Sequence, residues 1–326
     1  MAEITQRVMV TGASGQIGSE LLKVLRQKYG NDNVLTADIK KPAEPSLRDS
    51  GPFEYCDVTD RERIEEIVCK YSIKTICHLA AILSATGERN PNLAWDVNVN
   101  GTYNILETAR TNGIVRVFIP SSIAAFGSET PRENTPQETI LRPKTMYGVT
   151  KVAVELLGDY YVRRFNLDVR GCRFPGVISH ETLPGGGTTD YAVAIFYEAV
   201  KHGKYTCFLK ADTRLPMMYM PDCLKSIMDL MEADFSRLRH HTDFNVAAMS
   251  FTPAELAAEI KKHIPEFVCN YEPDFRQAIA ESWPVSIDDS AARREWGWKP
   301  DYGLAAMTKD MLAALAKRQA EGRLNY

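Results

Sequence analysis

The chain has 326 residues, 44% of them hydrophobic and 25% charged, with a formal charge of −3. That length suits one large domain or two unequal ones, and basic residues interleaved with acids exclude a stripe for polyanions. No apolar run of about 18 residues occurs, which excludes a spanning helix. Seven cysteines are scattered singly with no Cys-x-x-Cys pair, a pattern of reduced core thiols and not of a disulfide frame or structural zinc. The six histidines show no ligand spacing, and the adjacent His240-His241 reads as a solvated surface, so no metal is expected. The first residues run straight into an apolar strand, and no secretory signal peptide is expected.

In chain order, Arg7–Thr11 reads as a buried strand and Gln16 to Tyr29 as a helix. Strands follow at Val34–Ala37 and Phe53–Cys56, a helix from Asp60 to Tyr71, and a strand at Thr75–Leu79. A long helix is expected from Asn92 to Asn112, then strand Val115–Ile119, helix 145–165 and strand Asp168–Cys172. Strands alternating with helices of this length predict an α/β fold, a doubly wound parallel Rossmann sheet covered on both faces. After about residue 175 the alternation loosens, with a break at Pro184-Gly185-Gly186-Gly187. Helices near 190–202, 222–232, 253–263, 288–296 and 303–320 mix with short strands near 205–209, 244–248 and 267–271. We expect residues 1–175 to form the cofactor domain. Residues 176–326 are expected to form mainly a smaller α/β substrate lobe, with possible returns of chain to the sheet.

Between the first strand and first helix lies Thr11-Gly12-Ala13-Ser14-Gly15-Gln16-Ile17-Gly18. Gly12 permits a tight turn, Gly15 lets backbone approach a pyrophosphate, and Gly18 allows close helix–sheet packing. The helix start, at Gln16 and Ile17, offers unpaired N–H groups to phosphates. Asp38 ends the second strand 20 residues beyond Gly18, where a carboxylate holds both ribose hydroxyls of NAD and repels the 2′-phosphate of NADP. Lys40 and Lys41 follow it and leave that preference open. Asp57 either accepts from the adenine amino group or serves the turn before Asp60, a good helix cap. Leu79, Ala80 and Ala81 are small enough at the end of the fourth strand for a flat cofactor to lie on backbone. Asn98, a buried amide in the long helix, has a structural role as its ordinary reading.

Tyr147 and Lys151 stand four residues apart, about 25 positions after Pro120-Ser121-Ser122. On a helix the two share a face, and a nearby ammonium favours the phenolate, making tyrosine a usable base. Ser122 could hydrogen-bond the same substrate oxygen.

Together these motifs resemble the extended short-chain dehydrogenase/reductase family over nearly the whole chain. The glycine turn, Asn98-Val-Asn-Gly-Thr102, Ser121-Ser122-x-x-x-Phe126-Gly127 and Tyr147-x-x-x-Lys151 carry the resemblance, as does the closing Asp288 to Pro300 stretch. It implies Ser122 as catalytic hydroxyl, Tyr147 as acid/base and Lys151 as the group that lowers the tyrosine pKa and binds the nicotinamide ribose. It also implies cofactor contacts at Asp57 and Val58 and, from Arg173 to Ile178, a nicotinamide wall including Pro175 and Ile178. Nucleotide-sugar members carry an arginine before a hydrophobic strand; here Leu215 takes that position and Arg214 is one residue out of register. The Pro184 to Ala192 and Leu215 to Asp222 stretches are instead similar to the L-threonine 3-dehydrogenase branch. That branch implies substrate contacts from Ser84, Gly185, Thr188, Asp190 and Trp283, with helix capping for Asp190 and simple packing for Trp283 as competing roles. The expectation is therefore NAD-dependent oxidation of L-threonine to 2-amino-3-oxobutanoate, in a homodimer of the cytoplasm or mitochondrial matrix. An epimerase or dehydratase on a nucleotide-sugar, and a non-catalytic NAD-sensing regulator, are the competing readings.

Overall fold

The computed structural model describes residues 7–182, 185 and 187–324. Its first half is β1 (Val8–Thr11), α1 (Gln16–Tyr29), β2 (Val34–Asp38), α2 (Pro45–Arg48), β3 (Phe53–Tyr55), α3 (Arg61–Tyr71) and β4 (Thr75–His78). Then come α4 (Ser84–Arg89), α5 (Pro91–Trp95), a π turn at Asp96–Asn100, α6 (Gly101–Thr111), β5 (Arg116–Phe118), β6 (Ser121–Ser122), α7 (Met146–Phe165), β7 (Asp168–Arg170), β8 (Cys172–Phe174) and β9 (Gly176–Ile178). Six strands form a parallel sheet in the order β3-β2-β1-β4-β5-β7. This is the doubly wound order, whose switch point lies between β1 and β4 at their carboxyl ends.

Alternation along β1 explains why both faces are covered. Val8 and Val10 point into one core with Leu21, Leu22 and Leu25 of α1, while Met9 points into the other with Ile64 and Ile67 of α3 and Ile105 and Leu106 of α6. Each such side chain removed from water contributes roughly 1.5–3 kcal/mol before ordering costs. Asp60 caps α3 by accepting from the Arg63 N–H at 3.0 Å, as its spacing predicts.

The remaining chain is α8 (Tyr191–His202), β10 (Lys204–Cys207), β11 (Leu215–Tyr219), α9 (Met220–Glu232), β12 (Phe244–Asn245), β13 (Met249–Phe251), α10 (Pro253–Lys261), β14 (Val268–Tyr271), α11 (Arg276–Glu281), α12 (Ser290–Trp296) and α13 (Leu304–Ala320). Part of it packs back on the first half. Strand β8, one residue beyond β7, pairs in parallel with both β6 and β12 in a separate three-stranded sheet. Ile227 and Leu230 of α9, with Trp298, share the core of α1. A separate core of α8, α10 and α13 packs on β11, itself held between β9 and β13.

The expected long helix is a correction. It begins at Pro91, capped by Asn90, and is interrupted by the π turn that contains Asn98. The short helix α4 is a second departure, its six residues being too few to show a period.

Candidate active site

The glycine turn closes the switch point. Gly12 has φ +64, and a Cβ there would lie 2.4 Å from the Ala80 nitrogen, so both conformation and contact demand glycine. Gly15 is the N-cap of α1 and has no side chain to satisfy the first N–H groups, which are left for an anion. Asp38 accepts from the Ser14 N–H at 2.8 Å and the Lys40 N–H at 3.1 Å. It thereby locks the turn to β2, and a carboxylate keeps lone pairs for ribose hydroxyls. These features fit a dinucleotide.

Behind the cofactor crevice runs a continuous chain of hydrogen bonds. Thr102 donates to the Asn98 carbonyl at 2.6 Å, so its oxygen is left to accept from His78 Nε2 at 3.1 Å, and His78 Nδ1 accepts from the Thr11 hydroxyl at 2.8 Å. Burial holds the His78 imidazole down at about 3, helped by the Lys151 charge, so it is neutral. The Asn98 side chain accepts from the Ile82 N–H at 2.7 Å and donates to the Ile82 carbonyl and the Thr150 hydroxyl, each at 3.0 Å. Thr150 in turn donates to the Tyr147 carbonyl at 2.7 Å. The glycine turn and the Tyr147 helix are thus held in one register. Asn98, with its amide committed to this chain, does not line the main cleft, which makes its role positional.

Ser122 reaches the site from β6, which pairs with Phe174 of β8. Helix α7 starts at Met146, with the Thr145 hydroxyl accepting from the Gly148 N–H at 3.1 Å and Glu88 accepting from the Met146 N–H at 2.5 Å. A Cβ at Gly148 would lie 2.2 Å from the Ala124 carbonyl oxygen, so only glycine lets α7 approach the turn after Ser122 this closely. The Ser122 hydroxyl accepts from the Ala124 N–H at 3.2 Å and faces the Tyr147 phenol closely enough to pull its pKa down. The Lys151 ammonium lies 5.4 Å from the Tyr147 ring centroid and donates to the Pro120 carbonyl at 2.7 Å.

Burial pushes the Tyr147 phenol up to about 12, against the pull of Ser122. It pushes Lys151 down to about 8, against the pull of Glu155. The expected lowering of the tyrosine drew on Lys151 together with the positive nicotinamide; in the protein alone, burial sets the direction.

A cleft of about 250 Å³ joins these parts. Gly12, Gly15, Gln16, Ile17, Gly18, Leu79 and Ala81 line one end; Ser84, Thr188, Asp190 and Trp283 line the other, with Ser122, Tyr147, Lys151 and Pro175 between. Asp190 accepts from the Gly187 N–H at 2.6 Å, folding the glycine-rich turn onto α8. Asp38, Asp57, Val58, Ala80, Asn98, Ile178 and Gly185 are expected residues that stand outside the wall. Asp57 accepts from the Thr59 N–H at 2.9 Å and hydroxyl at 2.8 Å, the turn-forming role. Val58 is buried and its carbonyl accepts from Asn104. Ile178, just past the run Phe174 to Val177 that lines the cleft, is buried in the core. Gly185 stands near Leu83 instead. Ala80 backs the glycine turn and lines a small recess with His78, Asn98 and Lys151. Pro184 and Gly186 lie outside the described residues.

Sequence reasoning missed Leu83 and Thr189 in the wall. It also missed Glu155, although that residue repeats the i, i+4 spacing from Lys151. Arg214 is committed to Glu255 at 2.5 Å and the Ser250 carbonyl at 2.8 Å, and Leu215 is buried in β11.

Comparison with known proteins agrees with this geometry. The model of the NAD dependent epimerase/dehydratase family matches residues 8–247. A Staphylococcus haemolyticus protein named as an uncharacterized epimerase/dehydratase is 53% identical over 96% of this chain and 99% of its own. The L-threonine dehydrogenase of Phytophthora infestans is 55% identical, with TM-score 0.91 over 95% of this chain and 99% of that one. The L-threonine dehydrogenase of Clostridium difficile is 51% identical, with TM-score 0.94 over 98% and 99%. With its Rossmann sheet, glycine turn and Tyr147–Lys151 pair, the chain belongs to the NAD-dependent epimerase/dehydratase family of extended short-chain enzymes, and its cofactor is NAD.

Proposed function

We propose that this enzyme oxidises L-threonine at C3, yielding 2-amino-3-oxobutanoate. The observation that carries the reading is the meeting of Ser122, Tyr147 and Lys151 with Thr188 and Asp190 in one cleft that opens from the glycine turn. In this reading residues 1–175 hold the cofactor and residues 176–326 supply most of the substrate wall. NAD, when bound, supplies a positively charged nicotinamide whose C4 accepts the hydride from C3. Tyr147, as phenolate, takes the proton of the C3 hydroxyl, and Ser122 orients that hydroxyl by a hydrogen bond. Lys151 keeps a positive charge beside the phenolate. Thr188 and the N–H groups of the glycine-rich turn receive the amino acid carboxylate, and Asp190 faces the ammonium. Trp283 and Ser84 complete the small, closed end.

Against the competing nucleotide-sugar reading, Arg214 is held by Glu255 and the Ser250 carbonyl and is not free for a diphosphate. The test compares NADH formation with L-threonine, with UDP-glucose and without substrate. Net NADH with threonine alone is expected. Epimerised sugar without net reduction, or no turnover of either substrate, overturns the proposal.

A further inference from the structure

Beneath the cleft lies a buried ion pair that this chemistry does not use directly. Glu155 follows Lys151 by one helical turn on α7, and Arg173 reaches it from β8 with two parallel bonds, Nε–Oε1 at 2.9 Å and Nη2–Oε2 at 2.8 Å. The two side chains are 4% and 3% exposed. Such a pair does little for net stability, because desolving two charges offsets most of their attraction. Its surroundings suggest another use. The Ser121 hydroxyl donates to Glu155 Oε1, fixing the strand on which Ser122 is the next residue. The Thr242 hydroxyl donates to the Glu155 carbonyl at 2.9 Å. Arg173 donates on to the Gln137 carbonyl at 3.0 Å and to Asn245 at 3.3 Å, and lies 3.5 Å from Asp243. Glu155 is thus tied to β6, β8 and the chain around β12 together.

We infer that Glu155 is a positioning residue for the reaction: a fixed negative charge that keeps Lys151 protonated, and an acceptor that holds Ser121 so that Ser122 meets Tyr147. The inference rests on the proposed roles of Lys151 and Ser122, though not on the identity of the substrate.

The groups facing Lys151 support this. Tyr147 and Glu155 stand on its own helix, neutral His78 approaches from β4, and Asp190 lines the same cleft. Behind Glu155 are Arg173 and Asp243, and Glu138 lies within range of Arg173. Of these, Glu155 is the carboxylate that opposes the loss of the Lys151 proton. Burial raises the Glu155 carboxyl on balance, with the Arg173 guanidinium and the Ser121 hydroxyl opposing it; the two parallel bonds from Arg173 are the geometry of an ionised carboxylate. Arg173 therefore serves Glu155, and Glu155 serves Lys151.

The test is NAD affinity against pH, with no substrate present, in wild type, Glu155→Gln, Glu155→Asp and the Glu155→Gln/Arg173→Gln double variant. Lys151 binds the nicotinamide ribose as an ammonium, so affinity falls where it loses its proton. Wild type should weaken as pH rises through about 8. Glu155→Gln keeps the size and the acceptor for Ser121, and its fall should come about one pH unit earlier. The double variant removes the pair without stranding Arg173 and should show the same displacement, which decides the matter if the single variant does not fold. Glu155→Asp should stay near wild type. A folded Gln variant, single or double, whose affinity falls at the wild-type pH overturns the inference, whatever its overall affinity. If the displacement occurs but no variant, nor wild type, oxidises threonine, the substrate assignment fails and the role of Glu155 stands.

Discussion

At the scale of single residues, Tyr147 carries the chemistry and His78 its support. Tyr147→Phe removes the atom that accepts the proton while keeping the ring beside Lys151. Turnover with threonine should fall by about 10²-fold or more, with NAD affinity within a few-fold of wild type; stopped assays and fluorescence titration measure the two separately. Near-normal turnover would remove Tyr147 from its role. His78 has a distinct signature. Its imidazole is neutral down to about 3 when folded, against an ordinary value of 6.5. The unfolded chain therefore binds the extra proton first as pH falls below 6.5, and the stability this group contributes above that value is lost towards 3. Each unit in that window costs up to ~1.4 kcal/mol. His78→Gln removes the titrating group, so between about pH 7 and about pH 5 wild type should lose roughly 2 kcal/mol more than the variant in urea unfolding. Equal losses would contradict a neutral, buried His78.

At the scale of elements, the helix from Pro91 to Thr111 shows what sequence reveals and what it hides. Apolar spacing at Ile105, Leu106 and Ala109 marks a core-facing helix plainly. The π turn at Asp96–Asn100 leaves no such mark, because its cause is tertiary: the Asn98 amide must reach Ile82 and Thr150 at once. Helix α1 was legible to the residue, since glycines bracket its start and Gly30 follows its end. The pairs Ser122–Tyr147 and Gly12–Asp38 were legible through spacing within familiar units. For Ile178 and Val58 the motif gives the neighbourhood, and tertiary packing decides which side chain faces the cleft. The chain Thr11–His78–Thr102–Asn98 was invisible because its members are far apart in sequence and none is unusual alone. Asn98→Ala should strand the Ile82 and Thr150 groups, costing about 1–3 kcal/mol by thermal unfolding. It should lower turnover more than NAD affinity, since α7 loses register. Unchanged turnover would contradict the positional role of Asn98.

At the scale of the molecule, the two helix surfaces away from the core remain apolar. Val149, Leu156 and Tyr160 form one stripe on α7, and Trp95 and Tyr103 stand exposed on the neighbouring helix, with Leu156 65% exposed. Spacings of seven and four place the α7 residues on one face. We propose that these helices pair with those of a second copy, a seam that needs about 800 Å² per partner to be stable. Leu156→Arg should convert a dimer to a monomer in sedimentation while leaving the fold intact; a monomeric wild type would end the proposal. The same view explains why the chain beyond residue 176 resists a clean cut: α9 shares the core of α1 and β12 pairs with β8, while α8, α10 and α13 build a core of their own.

The central claim concerns one C–H bond and one O–H bond, and isotopes follow the first directly. L-threonine carrying deuterium at C3 should pass that deuterium to the reduced cofactor in wild type, with an equal amount of 2-amino-3-oxobutanoate formed, and Tyr147→Phe should transfer almost none. Deuterium retained in threonine, or released to water without reduced cofactor, would contradict the account.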